Sequence, residues 1–104
     1  SERSRGLGDV YKRQIKDLIT IVANFYNIEP DMICDKTRRK EVVRPRQITM
    51  YILREDFSTS YPTIGDKLGG RDHTTVIHSC EKIKEELKTD QLLTQQLNQI
   101  RAML

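Results

Sequence analysis

A pair of adjacent glycines, Gly69 and Gly70, constrains the fold most, because it separates two segments with helical apolar spacing. A short segment opened by Pro62 and extending to Leu68 lies before the pair, and glycine can take the left-handed conformation that closes a helix. Asp72 is a favourable N-cap for the segment that follows. The apolar residues of that segment recur at spacings of four, three and four and form one helical face: Val76, Cys80, Ile83 and Leu87. The pattern predicts a short helix, a tight turn and a longer helix.

The remaining apolar patterns are also helical. They predict a first helix from Ile15 to about Asn27, a short helical turn after Pro30, and a helix from Pro45 to near Asp56. A last helix, capped by Thr89 or Asp90, has the stripe Leu93, Leu97, Ile100 and Leu104. No segment shows the alternation of apolar and polar residues that is typical of a strand. The predicted fold is all-α, a compact, Trp-repressor-like bundle of five to six helices that contains a helix-turn-helix with a preceding basic loop.

A chain of 104 residues is the size of one small domain. Residues 1–14 lack periodicity and are interpreted as a tail, either a linker from a larger protein or an artificial remnant; residues 15–104 form the predicted domain. The longest apolar runs fall short of the roughly 20 residues that span a bilayer, and the polar start lacks the core of a secretory signal, so a cytoplasmic location is expected. Cys34 and Cys80 are far apart, which disfavours a disulfide framework.

The net charge is only +3, but its distribution is uneven. Six basic residues fall within the eleven positions 36–46, opposed there only by Glu41: Lys36, Arg38, Arg39, Lys40, Arg44 and Arg46. Such a cluster is the electrostatic footprint expected for phosphate contact. A solvated loop without a partner is an equally common interpretation of a charge run.

His73, Thr74 and Thr75 stand at the predicted start of the second helix of the pair. In a DNA-binding helix-turn-helix, this first turn enters the major groove. Histidine can donate or accept a hydrogen bond, and threonine offers a hydroxyl and a methyl group for the thymine methyl. The alternative is that these residues merely fill a first helical turn.

The runs RPRQ at 44–47, IGDKL at 64–68 and GGRDHTTV at 69–76 resemble the C-terminal DNA-binding domain (domain IV) of the bacterial replication initiator DnaA. The resemblance covers nearly all of residues 15–104. It implies binding to short asymmetric DnaA boxes at the replication origin by a monomeric domain, with regulatory protein partners as a further expectation. It also implies that ATP binds a separate N-terminal AAA+ domain, so no cofactor is expected here.

Residue roles follow from the same resemblance. Arg38 is expected in the minor groove, where arginine suits narrow A·T-rich DNA. Asp72 either accepts a hydrogen bond from a cytosine or caps the helix. The expected base-reading residues are Arg38, Gln47, Asp72, His73, Thr74 and Thr75. The expected DNA-backbone contacts are Lys36, Arg39, Lys40, Arg44, Arg46, Arg54, Pro62, Lys67 and Arg71. Thr37 and Glu41 depart from a more basic family pattern, which weakens the expected phosphate contribution there.

Other function classes have less support. Neither a P-loop, a nucleophile elbow nor paired carboxylates beside a base is present, so an enzyme is not predicted. A zinc site formed by His73, His78, Cys34 and Cys80 lacks ligand spacing, and Cys80 belongs to an apolar stripe. A dimeric helix-turn-helix repressor and a helical protein-interaction module stay open as alternatives. Binding of the first helix to anionic lipid is disfavoured because its apolar face is needed for the core.

Overall fold

Six helices follow one another in the computed structural model, which describes residues 2–36 and 39–104, with side chains from residue 14 onward. No strand occurs in those ranges, so the all-α prediction is confirmed. The helices are α1 (Glu2–Phe25), α2 (Pro30–Cys34), α3 (Lys40–Glu55), α4 (Tyr61–Lys67), α5 (His73–Glu86) and α6 (Gln91–Ala102).

Helix α1 starts well before the predicted Ile15 and ends at Phe25, where Asn27 takes a positive φ of 59°. Ile15, Leu18 and Val22 are buried, as their spacing predicted. Once such a packed segment is helical, extension adds one hydrogen bond per residue and needs no apolar stripe. Residues 2–14 therefore continue the helix, while their separation from the domain as a tail stays a prediction.

Helix α3 corrects the sequence analysis, which placed its start at Pro45. It begins at Lys40, with Arg39 as N-cap, and Pro45 lies inside it. Proline has no N–H, so the helix loses one hydrogen bond at this position. The earlier start is stabilised by packing, because Val42 and Pro45 are both buried on the face that continues to Ile48 and Ile52. The segment between α2 and α3, which contains the basic loop, is consequently only five residues long, from 35 to 39.

The α4–α5 pair has the predicted turn. Gly69 and Gly70 take φ values of 90° and 71°. The backbone N–H of Arg71 donates to the Gly65 carbonyl at 2.8 Å. A Cβ atom on Gly65 would lie 2.1 Å from the Arg71 carbonyl oxygen, and one on Gly69 would lie 2.1 Å from the Cys34 carbonyl oxygen. Both glycines are therefore required for close backbone approach.

The core joins all the helices, and the stripe of α5 packs against α3 and α4. Val76, Cys80 and Ile83 are buried, as predicted. In α6 the Asp90 carboxylate accepts the N-terminal cap bond from the Leu93 N–H at 3.0 Å. The stripe prediction for Leu104 is wrong: this side chain is 47% exposed because α6 ends at Ala102. Within the described ranges, the helices are all too short or too polar to cross a membrane.

Gly69→Ala should destabilise the domain more than Gly70→Ala. Both substitutions place a side chain at positive φ, but only the Cβ at position 69 meets backbone, whereas nothing lies within 4 Å at position 70. The expected additional loss in the free energy of unfolding is about 1–3 kcal/mol. Urea denaturation of both variants measures it, and equal losses would contradict the close approach seen here.

Cys80 should make stability depend on alkaline pH. Burial, and then the charge of Glu55, raise the pKa of its thiol from 9.0 to about 11. The folded state thus holds the thiol proton more tightly than the unfolded state. The resulting contribution to the free energy of unfolding is complete below pH 9 and is lost as the pH rises towards 11. Urea denaturation across this pH range should show a smaller fall in the free energy of unfolding for Cys80→Ala than for the wild type. Parallel profiles would refute the assignment.

Candidate nucleic-acid interface

The first turn of α5 is the most exposed part of the α4–α5 pair. Residues 72–75 are all exposed, and burial begins at Val76. The side chains of Asp72 and His73 are 67% and 58% exposed, and Asp72 Oδ1 lies 3.3 Å from His73 Nδ1. The helix therefore presents His73, Thr74 and Thr75 outward without using them in the core, which is the arrangement predicted from the sequence.

Asp72 occupies the N-cap position with an extended backbone, but its carboxylate makes no capping hydrogen bond within the described chain. Capping by the side chain, one of the two roles predicted from the sequence, is therefore not observed. The carboxylate instead lies beside the His73 imidazole, which it can orient. An uncapped helix N-terminus has unsatisfied N–H groups and a partial positive charge, two properties suited to an anion.

The basic loop connects α2 to α3 beside this turn. Lys36 and Arg39 are exposed, as is Lys40 in the first turn of α3. Arg38, the predicted minor-groove residue, and Thr37 lie outside the described residues. Lys67 is exposed on the last turn of α4, and Pro62 is exposed at its start.

A polar groove lies between α3 and α5. Its lining residues are Lys40, Val43, Arg44, Gln47 and Lys82. The Arg44 guanidinium forms an ion pair with the Glu86 carboxylate, so one predicted phosphate contact already has a partner in the protein. Lys82 was not predicted from the sequence, because only the packing of α3 on α5 brings it next to Gln47.

Arg46 has a role that the sequence did not indicate. Its side chain is only 7% exposed, and the guanidinium donates to three carbonyl oxygens near the end of α2. Its Nε donates to Ile33 at 2.9 Å, and its Nη2 donates to Asp35 at 2.7 Å and to Met32 at 3.3 Å. The phosphate contact expected for Arg46 stays a prediction; the contacts observed are internal.

Arg71 and Arg54 are also engaged within the protein. The Arg71 guanidinium donates to the carbonyl oxygens of Leu68 and Asp35. Arg54 donates to the Thr59 carbonyl at 3.3 Å, and its guanidinium carbon lies 4.2 Å from the ring centroid of Tyr61, a cation–π geometry. The predicted basic set thus divides into exposed side chains and side chains that already bond to the protein.

No group of three or more histidine, cysteine and acidic side chains lies close enough to hold a metal ion in the part of the chain that the structure describes. Cys80 is in the core and Cys34 is half-buried at the end of α2. The Cys34 thiol lies 3.7 Å from the Lys67 carbonyl oxygen.

A short helix, a glycine turn and a second helix with an exposed polar first turn define a helix-turn-helix domain. The family model for the bacterial DnaA protein helix-turn-helix matches residues 15–83. The chain therefore belongs to the family of bacterial DnaA helix-turn-helix domains.

Curated relatives and a solved structure agree with this family. The chain is 45% identical to the chromosomal replication initiator protein DnaA of Limosilactobacillus reuteri, over the whole chain and 24% of that protein. It is 44% identical to DnaA of Chloroflexus aggregans, over 91% of the chain and 20% of that protein. A crystal structure of a DNA replication initiation factor superposes with a TM-score of 0.78 and 29% identity, covering 92% of this chain and 32% of the other. The chain spans about a fifth to a quarter of the length of these curated relatives.

Proposed function

We propose that this domain binds DnaA boxes in double-stranded DNA at a bacterial replication origin, with the first turn of α5 in the major groove. The observation that carries the proposal is the exposed N-terminus of α5, which presents His73, Thr74 and Thr75 beside the basic loop. Arg38, which belongs to that loop by sequence, enters the adjacent minor groove. The role is recognition, and no catalytic step is assigned to it.

Base reading in this proposal is concentrated in four consecutive residues. His73 and the two threonines supply donors, acceptors and methyl groups for base edges. Asp72 orients His73 through the 3.3 Å contact between Oδ1 and Nδ1, and its exposed carboxylate can accept from a cytosine amino group. Gln47, in the groove between α3 and α5, is the fifth base-reading candidate on the described surface.

Phosphate binding is assigned to exposed basic residues of the basic loop, α3 and α4. Lys36 and Arg39 are exposed in the basic loop, Lys40 is exposed at the start of α3, and Lys67 is exposed on the last turn of α4. Contacts of this kind supply affinity that falls with salt and is independent of sequence. Pro62, in the first turn of α4, and Arg54, in the last turn of α3, are further candidates for backbone contact. Arg44 contributes once its ion pair with Glu86 opens.

One such domain reads two different elements, a helix and a loop, so it requires no two-fold partner and suits an asymmetric site. We therefore propose that it acts as a monomer on nucleoid DNA. Binding of ATP and of regulatory proteins is proposed for the longer proteins of which such a domain forms about a quarter.

The deciding experiment is fluorescence anisotropy with a labelled duplex containing one DnaA box and with a scrambled duplex, each across a salt series. Preference for the box that persists at moderate salt supports the proposal. Equal, salt-labile binding would reduce the domain to a generic cationic module, and no binding would favour a protein-interaction role.

His73→Ala and Thr74→Ala should each weaken binding to the box by about 1–3 kcal/mol while sparing the scrambled duplex, because each removes a base contact and no phosphate contact. His78→Ala is the matched control: His78 is also exposed on α5 but lies beyond the first turn. Anisotropy titrations measure all three variants. A similar loss on both duplexes, or an equal loss in the control, would contradict the assignment.

Glu86→Gln should strengthen binding to the box and to the scrambled duplex alike, because it releases Arg44 for a phosphate. One additional phosphate contact should steepen the dependence of log K on log salt by about 0.9. Glu85→Gln is the control, since it removes the same charge from an adjacent exposed residue paired with Lys88. If both variants change the salt dependence equally, Arg44 is not the residue released.

A further inference from the structure

We propose that Arg46 and Arg71 together form an arginine clamp on the carboxyl end of α2, and that the clamp sets the spacing between the basic loop and the first turn of α5. Both are then positioning residues for recognition of the two grooves. The proposal rests on the proposed function, because the spacing matters only if loop and helix read the same duplex.

The clamp is formed by two guanidinium groups that meet at one carbonyl. Arg46 reaches the Asp35 carbonyl oxygen from α3 at 2.7 Å, and Arg71 reaches the same oxygen from the α4–α5 turn. Arg46 also binds the carbonyl oxygens of Ile33 and Met32, and Arg71 binds that of Leu68. The end of α2 is thereby joined to α3 and to the turn at once.

This arrangement has an electrostatic cost that one arginine alone would avoid. Burial, and next the charge of Arg71, lower the pKa of Arg46, and burial also lowers the pKa of Arg71. Two cations near one oxygen repel each other, which opposes the gain from charge-assisted hydrogen bonds. Capping the five-residue α2 requires only one of them. The second is explained by the need to connect α2 to the turn that precedes α5.

Backbone packing reinforces the same connection. The Cα of Gly69 lies so close to α2 that a Cβ atom there would be 2.1 Å from the Cys34 carbonyl oxygen. The Cys34 thiol also lies 3.7 Å from the Lys67 carbonyl oxygen. The end of α2 and the α4–α5 turn are therefore in direct contact, with the arginine clamp over the junction.

The basic loop starts at this junction and is short. Five sequence positions, 35–39, separate α2 from α3, and one residue spans at most about 3.6 Å. At its start the Lys36 N–H donates to the Asp35 carboxylate at 2.7 Å. At its end the Arg39 carbonyl accepts from Val42 and Val43 at 3.0 and 2.9 Å. Arg38 belongs by sequence to this connection, so displacement of Asp35 shifts the anchor of the residue proposed for the minor groove.

Arg71→Lys separates this role from a direct phosphate contact. Lysine keeps the charge but is a point donor that cannot bridge the Leu68 and Asp35 carbonyl groups as the planar guanidinium does. Arg101→Lys is the matched control, because Arg101 also makes two bonds, to the Asp56 carboxylate at 2.9 and 3.1 Å, and lies on α6.

The experiment measures binding of wild type and both variants to three duplexes: an intact box, a box with G·C pairs replacing its A·T-rich flank, and a scrambled sequence. Arg71→Lys should lose about tenfold in preference for the intact flank, equivalent to ~1.4 kcal/mol, with unchanged affinity and salt slope on scrambled DNA. Arg101→Lys should retain the flank preference. An unchanged flank preference in Arg71→Lys, or an equal loss of affinity for all three duplexes, would contradict the proposed role of the arginine clamp.

A second variant decides the matter if Arg71→Lys does not fold. Insertion of two glycines after Lys36 lengthens the connection and leaves both arginines in place, so it should reduce the flank preference in the same selective way. A retained preference in this variant, with its fold verified by thermal unfolding, overturns the proposal. If wild type itself fails to prefer the box, the proposed function has failed, which is a different result from loss of the clamp alone.

Discussion

The contact between the carboxyl end of α2 and the α4–α5 turn is the constraint on which the rest of the interface depends. Gly69 permits the two backbones to approach, and the guanidinium groups of Arg46 and Arg71 satisfy carbonyl groups that a helix end leaves without partners. Because the basic loop leaves α2 at this point and α5 begins just after the turn, one junction positions both surfaces proposed to bind DNA.

The orientation of α5 follows from its packing. Its stripe begins at Val76, and α3 and α4 cover it. The first turn, residues 73–75, lies ahead of that stripe and stays exposed. Burial of the later turns thus fixes the direction of the first turn, and the polar side chains there are exposed at no cost to the core.

The fold buries or pairs some basic residues of this domain and leaves others exposed. The sequence places six basic residues between positions 36 and 46, but the structure uses them differently. Arg46 is buried on carbonyl groups and Arg44 pairs with Glu86, whereas Lys36, Arg39 and Lys40 are exposed. Some members of the cluster are consequently used for contacts within the protein and others are exposed, which a count of charges does not distinguish.

The sequence by itself determined what depends on neighbouring residues: the helical stripes, the glycine turn, the exposed HTT segment and the family motifs. The tertiary structure decided the features that depend on residues distant in the sequence. The start of α3 at Lys40 results from burial of Val42, and Leu104 is exposed because its helix ends first. Asp35 and Arg71 are 36 residues apart, and their contact has no local signal. Helical periodicity repeats every few residues and is readable along the chain, whereas a hydrogen bond between distant segments exists only once packing has placed its donor and acceptor together.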